Sequence, residues 1–230
     1  MKVGNQFRTL IDVIWSPARG VEALARHAPL LLPVLVFSVS AMLVNWFSMP
    51  FAEHVARLSM PDSLDPEQAQ QVLALTHRIS LFSALFSPLS MLVKWVILAG
   101  LLYLVSILAN GRMRFRQAYS LVAFASIALV AEWSVGLTVM LLKGLENIQR
   151  PFDLVPALGL TLIFRDVGLG WFTLLNSVNL FQIWFIVLLV IGIASMNGFS
   201  RWKSGWVVVS VWLFQTAVGA LTTGLSGLGG

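Results

Sequence analysis

Five long apolar runs decide what this chain can fold into. A bilayer core of roughly 30 Å needs about 20 apolar helical residues, because a helix rises about 1.5 Å per residue and satisfies its backbone polar groups internally. Stretches at about 30–47, 88–108, 118–142, 172–196 and 206–224 meet that requirement. The expected fold is therefore all-α: a polytopic membrane protein with a bundle of about five transmembrane helices over 30–230, preceded by a cytoplasmic amphipathic segment, 1–29. A sixth run, Leu154 to Phe164, has eleven residues between Pro151 and Arg165-Asp166 and is interrupted by Pro156. It is too short to span and is expected as a re-entrant or surface helix on the outer side.

Charge is scarce enough to support this reading. Only 11% of the 230 residues are charged and 58% are hydrophobic, against about 25% charged in soluble domains. The chain has no cysteine, which excludes disulfides, thiolate nucleophiles and cysteine-bound metals. The net charge of +5 comes from short Lys/Arg clusters beside the apolar runs. Without the aromatic and basic interleaving that stacked bases need, these clusters point to topology rather than nucleic acid.

With the N-terminus inside, the inner segments carry Lys2, Arg8, Arg19, Arg26, Arg112, Arg114, Arg116, Arg201 and Lys203 against Asp12 and Glu22. The outer segments hold five bases (Arg57, Arg78, Lys143, Arg150, Arg165) and seven acids (Glu53, Asp62, Asp65, Glu67, Glu146, Asp153, Asp166). The positive-inside rule therefore predicts a cytoplasmic N-terminus and an outer C-terminus. Trp15, Trp46, Trp171, Trp202 and Trp206 fall at the expected interfaces, which suit an amphipathic indole. Ahead of the first span, Phe7, Leu10, Ile11 and Ile14 repeat at helical spacing, and Ser16-Pro17 starts a second short helix with Val21, Leu24 and Ala25 on one face. That segment is expected either in the headgroup layer or packed under the bundle. Asp65-Pro66 reads as an N-cap and first helical position, so a helix is expected from there to about Ser87, kinked by Pro88 into the second span.

Two ionisable residues fall inside spans, Lys94 and Glu132. The second and third spans form a hairpin turning at Met113, and both residues stand nineteen positions from it. Equal distance from the turn predicts similar depth, and an intramembrane Lys94–Glu132 ion pair is the expectation. A Lys94 that snorkels alone to the outer boundary is the alternative. Asn176 and Asn179 are expected at i,i+3 on one face of the fourth helix, either lining a polar cavity or joining helices. His27, His54 and His77 are too scattered to bind metal. Neither a nucleophile elbow nor a phosphate-binding loop is present, so no catalytic residue and no cofactor is assigned. Arg112, Arg114, Arg116, Arg201 and Lys203 form a basic cytoplasmic surface able to attract anionic lipid or an acidic partner.

Several of these features occur together in a known family. Ser16-Pro17 with its short helix, a Gly-x-x-x-Phe-Arg-x-Ala turn (Gly111, Phe115, Arg116, Ala118), Asn179-Leu-Phe-Gln-Ile-Trp184 and Gly205 resemble the bacterial branch of the Yip domain family, the Ypt/Rab-interacting membrane proteins. The resemblance implies five membrane helices, a cytoplasmic N-terminus and a bacterial inner-membrane location. The eukaryotic Asp-Leu-Tyr-Gly-Pro motif is absent, and the third-span Gly-Tyr and Pro are answered by Ala123-Phe124 and Ala128. These two departures count against GTPase binding. The functional expectation is a non-enzymatic scaffold, interaction partner of other membrane proteins or membrane organiser. The alternative is a small transporter or channel using Lys94 and Glu132.

Overall fold

A computed structural model describes residues 3–61, 63–149, 154–164 and 169–226. Lys2, Asp62, Arg150, Pro151, Asp153, Arg165 and Asp166, weighed above, lie outside the described residues. The described chain is helical: α1 (Val3–Trp15), α2 (Pro17–His27), α3 (Leu31–Leu58), α4 (Pro66–Leu108), α5 (Phe115–Ala125), α6 (Ile127–Lys143), α7 (Leu169–Asn176), α8 (Leu180–Asn197) and α9 (Arg201–Ser226). Five candidate spans are long and apolar enough to cross a membrane: α3, α4, α5 with α6, α8, and α9 as far as Thr222. The protein is an all-α, multi-pass membrane bundle, as its apolar runs predict.

Helix α4 carries the most local information. Asp65 caps it, its carboxylate accepting from the Glu67 amide at 3.0 Å, and Pro66 occupies the first turn. The helix then continues through Pro88 for 43 residues. Proline removes the amide that would bond the Ala84 carbonyl, and the Ser87 hydroxyl donates to that same carbonyl at 2.9 Å. At about 1.5 Å per residue α4 is about 64 Å long, twice a bilayer core. Its first half leaves the bundle alongside the end of α3, and the two helices are tied by His77 Nδ1 and Glu53 Oε1 at 2.7 Å.

Two spans are broken where neither Pro nor Gly marks the sequence. Ser126 interrupts the third, its hydroxyl bonding the Val122 carbonyl at 2.8 Å while the Leu129 amide donates to the Ser126 carbonyl. Such i−4 back-bonding bends a helix. The fourth breaks between Asn176 and Leu180, which corrects the continuous 172–196 helix expected above. Residues 154–164 form an irregular segment that includes a 3₁₀ turn, Leu160–Leu162, and an antiparallel bridge from Gly159 to Asn179. The expected helix is absent because Leu158 bonds an asparagine side chain instead of a helical carbonyl.

The core lies between α4, α5 and α8, with Leu102, Leu121, Phe124, Leu188 and Ile193 fully buried. Gly192 permits the α5–α8 contact, since a Cβ there would strike the Leu121 side chain. Helices α1 and α2 pack against this core through Leu10, Val13, Val21 and Leu24. Gln6 Oε1 accepts the Leu32 amide at 3.1 Å, satisfying a donor at the start of α3. Phe7, Ile11 and Trp15 remain exposed on the other side of α1, so the apolar repeat divides between core and surface. The tryptophans expected at interfaces, Trp15, Trp46, Trp171, Trp202 and Trp206, are all exposed, whereas Trp95 is buried.

Candidate functional sites at the two ends of the bundle

Glu132 sits on α6 beside the start of α8. An ionised side chain in a span costs about 2.5–3.5 kcal/mol even on the translocon scale, so its surroundings matter. Asn179 Nδ2 donates to Glu132 Oε1 at 2.8 Å, and Gln182 Nε2 donates to Oε2 at 2.9 Å. The Asn179 amide is held in that orientation, because its Oδ1 caps α8 by accepting the Gln182 backbone amide at 2.9 Å. The carboxylate thus receives two amide donors and faces the positive end of the α8 dipole.

The expected Lys94–Glu132 ion pair does not form. Lys94 is exposed and takes part in no ion pair among the described residues, while both Glu132 oxygens are occupied by neutral amides. Equal distance from the turn set similar depth but not helix rotation. Trp95 is the residue that faces inward on α4, and it turns its neighbour Lys94 outward. The two tryptophans next to the charges meet through α3: Phe37 lies edge-on to Trp95 at 4.9 Å and to Trp133 at 4.8 Å.

Asn176 organises the neighbouring irregular segment. Its Oδ1 accepts from the Leu158 amide at 3.0 Å and the Thr161 hydroxyl at 2.9 Å. Gly159 brings the segment against the α7–α8 turn, where a Cβ would strike the carbonyls of Leu175, Asn176 and Val178. Between this segment, α3 and α6 lies a recess of about 260 Å³, with Ser48, Glu132, Trp133 and Asn176 on its wall. None of its lining residues comes from α4, α5, α8 or α9.

The opposite, basic end is built from the α4–α5 and α8–α9 loops. Asn197, buried at the end of α8, accepts the amides of Arg112 at 2.8 Å and Met113 at 2.9 Å through Oδ1. Gly111 must lack a side chain, since a Cβ would collide with Asn197 Oδ1 and the Ser106 carbonyl. Lys203 Nζ donates to the Ala109 carbonyl at 2.6 Å and lies 4.1 Å from the centre of the Phe199 ring. Gln117 joins α5 to α2 by donating to the Ala25 carbonyl at 2.8 Å and accepting the Arg114 amide. On this braced frame Arg112, Arg114, Arg116 and Arg201 are exposed, and none of them makes an ion pair among the described residues. Trp202 and Trp206 pack edge to face beside them at 5.7 Å. The structure therefore gathers all five basic residues named from the sequence at one end.

Sequence reasoning missed Asn197, and missed Asn179 and Gln182 as partners of Glu132. For the latter pair a signal existed: an Asn three residues before a Gln at the start of an apolar run is an N-cap pattern. Asn197 carried none, because its two donors come from a loop 84 and 85 residues away.

Among the described residues no cluster of His, Cys, Asp or Glu is able to hold a metal ion. Comparison with curated proteins and with solved structures gives no match. The model of the Yip1 domain matches residues 11–222, which takes in all five spans and both ends just described, and the chain belongs to the Yip1 domain family.

Proposed function

We propose that this protein is a non-enzymatic organiser and scaffold of the bacterial inner membrane, with its N-terminus cytoplasmic and its basic end engaging anionic lipid headgroups. The observation that carries the reading is the set of four exposed arginines, without an ion pair among the described residues, on the α4–α5 loop and the first turns of α5 and α9, which Asn197 and Lys203 brace. A braced loop presents its charges without the ordering entropy that flexible loops lose on binding. Trp202, Trp206 and Trp15 stand exposed in the same chain, as suits side chains lying at headgroup level. A surface depression of about 230 Å³ lined by Arg201, Trp202 and Trp206 adds an apolar foothold beside a cation.

Each basic side chain near an anionic leaflet contributes about 1 kcal/mol, so Arg112→Gln, Arg114→Gln and Arg116→Gln together remove about 3 kcal/mol. Native mass spectrometry from nanodiscs of mixed phosphatidylglycerol and phosphatidylcholine is the test. Wild type should retain phosphatidylglycerol preferentially and the triple variant should not; equal retention by both refutes the reading. The transport alternative finds less support, since Lys94 is turned outward and the recess at Glu132 takes no lining residue from α8, α9 or the basic-end loops.

A further inference from the structure

The geometry points to a second binding site, separate from the basic end: the recess beside Glu132 receives an ammonium group carried on an apolar chain. Three observations converge on that class of ligand. Glu132 is a span carboxylate whose partners, Asn179 and Gln182, are both neutral, so hydrogen bonds are supplied and charge is not. Among the described residues no side chain lining the recess is basic; apart from Glu132, Ser48 and Asn176, the described wall is apolar. A cation from outside the fold is what the anion lacks.

The remaining lining fixes the rest of the ligand. Trp133 stands next to Glu132 on the wall, and an indole ring attracts a cation held near its face. Val44, Leu137 and Met140 provide an apolar flank for methylenes. The volume, about 260 Å³, is just under the roughly 300 Å³ at which drug-sized sites begin, which suits a headgroup or a short alkylamine. Anions are disfavoured by Glu132. Neutral amphiphiles gain the apolar contacts but leave the carboxylate unmatched. A bilayer lipid bearing a primary ammonium and a free alkylamine share this chemistry.

The test uses the full-length protein in maltoside detergent, titrated with octylammonium chloride and, as a neutral control, octanol, with native mass spectrometry reading the bound fraction. A parallel arm uses phosphatidylethanolamine nanodiscs. Octylammonium is expected to bind one per chain and octanol not at all. Glu132→Gln should weaken octylammonium by about 30-fold or more, the loss expected when one partner of a buried charge pair is removed. Val44→Phe narrows the recess while leaving Asn179, Gln182 and Glu132 unsubstituted, and should abolish binding in a folded protein. Retained phosphatidylethanolamine, lost in Val44→Phe, assigns the ligand to the bilayer; binding of octylammonium alone assigns it to a free amine. Binding of neither amine, equal binding of octanol, or undiminished binding by both variants overturns the proposal.

Discussion

Asn197 holds two backbone amides with one oxygen, and the consequence of losing it is specific. Asn197→Ala leaves the Arg112 and Met113 amides without an acceptor, and Met113 is buried. An unsatisfied buried donor costs about 1–3 kcal/mol. Denaturant unfolding in detergent should therefore show a destabilisation of about 2 kcal/mol or more, with the α4–α5 loop newly open to proteolysis. Lys94 and Glu132 behave oppositely to a pair. Lys94→Gln, at an exposed position without partners, should change stability by no more than about 0.5 kcal/mol. Glu132→Ala strips the acceptor from two amides and should cost about 1–3 kcal/mol. The exchange of the two charges should then fail to rescue, since Lys at 132 would face two amide donors and the α8 N-terminus. Recovery of folded yield in that exchange would revive the ion pair.

At the scale of elements, α4 tests how a proline survives inside a membrane helix. If Ser87 replaces the donor that Pro88 lacks, Ser87→Ala should cost about 1 kcal/mol in the native background. In a Pro88→Ala background, where the backbone amide returns to Ala84, it should cost almost nothing. The coupling is read from a double-mutant cycle of unfolding midpoints. Elements of this kind were partly legible. Asp65-Pro66 announced the α4 start because capping is local, and the apolar runs located all five spans because lipid demands length. The break at Ser126 was not legible, since a hydroxyl bonding its own helix looks like an ordinary polar residue in an apolar run; the break before Leu180 left only the Asn179–Gln182 capping pattern, easily passed over inside a run long enough to span. The basic end was legible as a list of residues, because loops between spans must meet at the bundle ends. Rotation was the missing quantity for Glu132: sequence distance gave depth, and the partner came from α8, whose start the unbroken-helix reading had hidden.

For the whole molecule, the absence of cysteine makes orientation measurable with single introduced thiols. Arg114→Cys should be labelled by an impermeant maleimide only after the cytoplasmic face is exposed, and Glu67→Cys in intact spheroplasts. The reverse pattern would invert the proposed topology. The long α4 adds a property of a different kind. Exposed apolar residues run along it from Val72 to Leu108, about 54 Å at 1.5 Å per residue, well beyond a hydrocarbon core of about 30 Å. With the boundary at Pro88, the next charged side chain outward is Arg78, ten residues and about 15 Å away; on α3, Glu53 follows Phe47 by six, about 9 Å. Hydrocarbon thickness varies from about 27 Å to about 33 Å between membranes, and only part of that difference falls on either leaflet. These two helices can therefore absorb hydrophobic mismatch by immersing more of a surface that is already apolar.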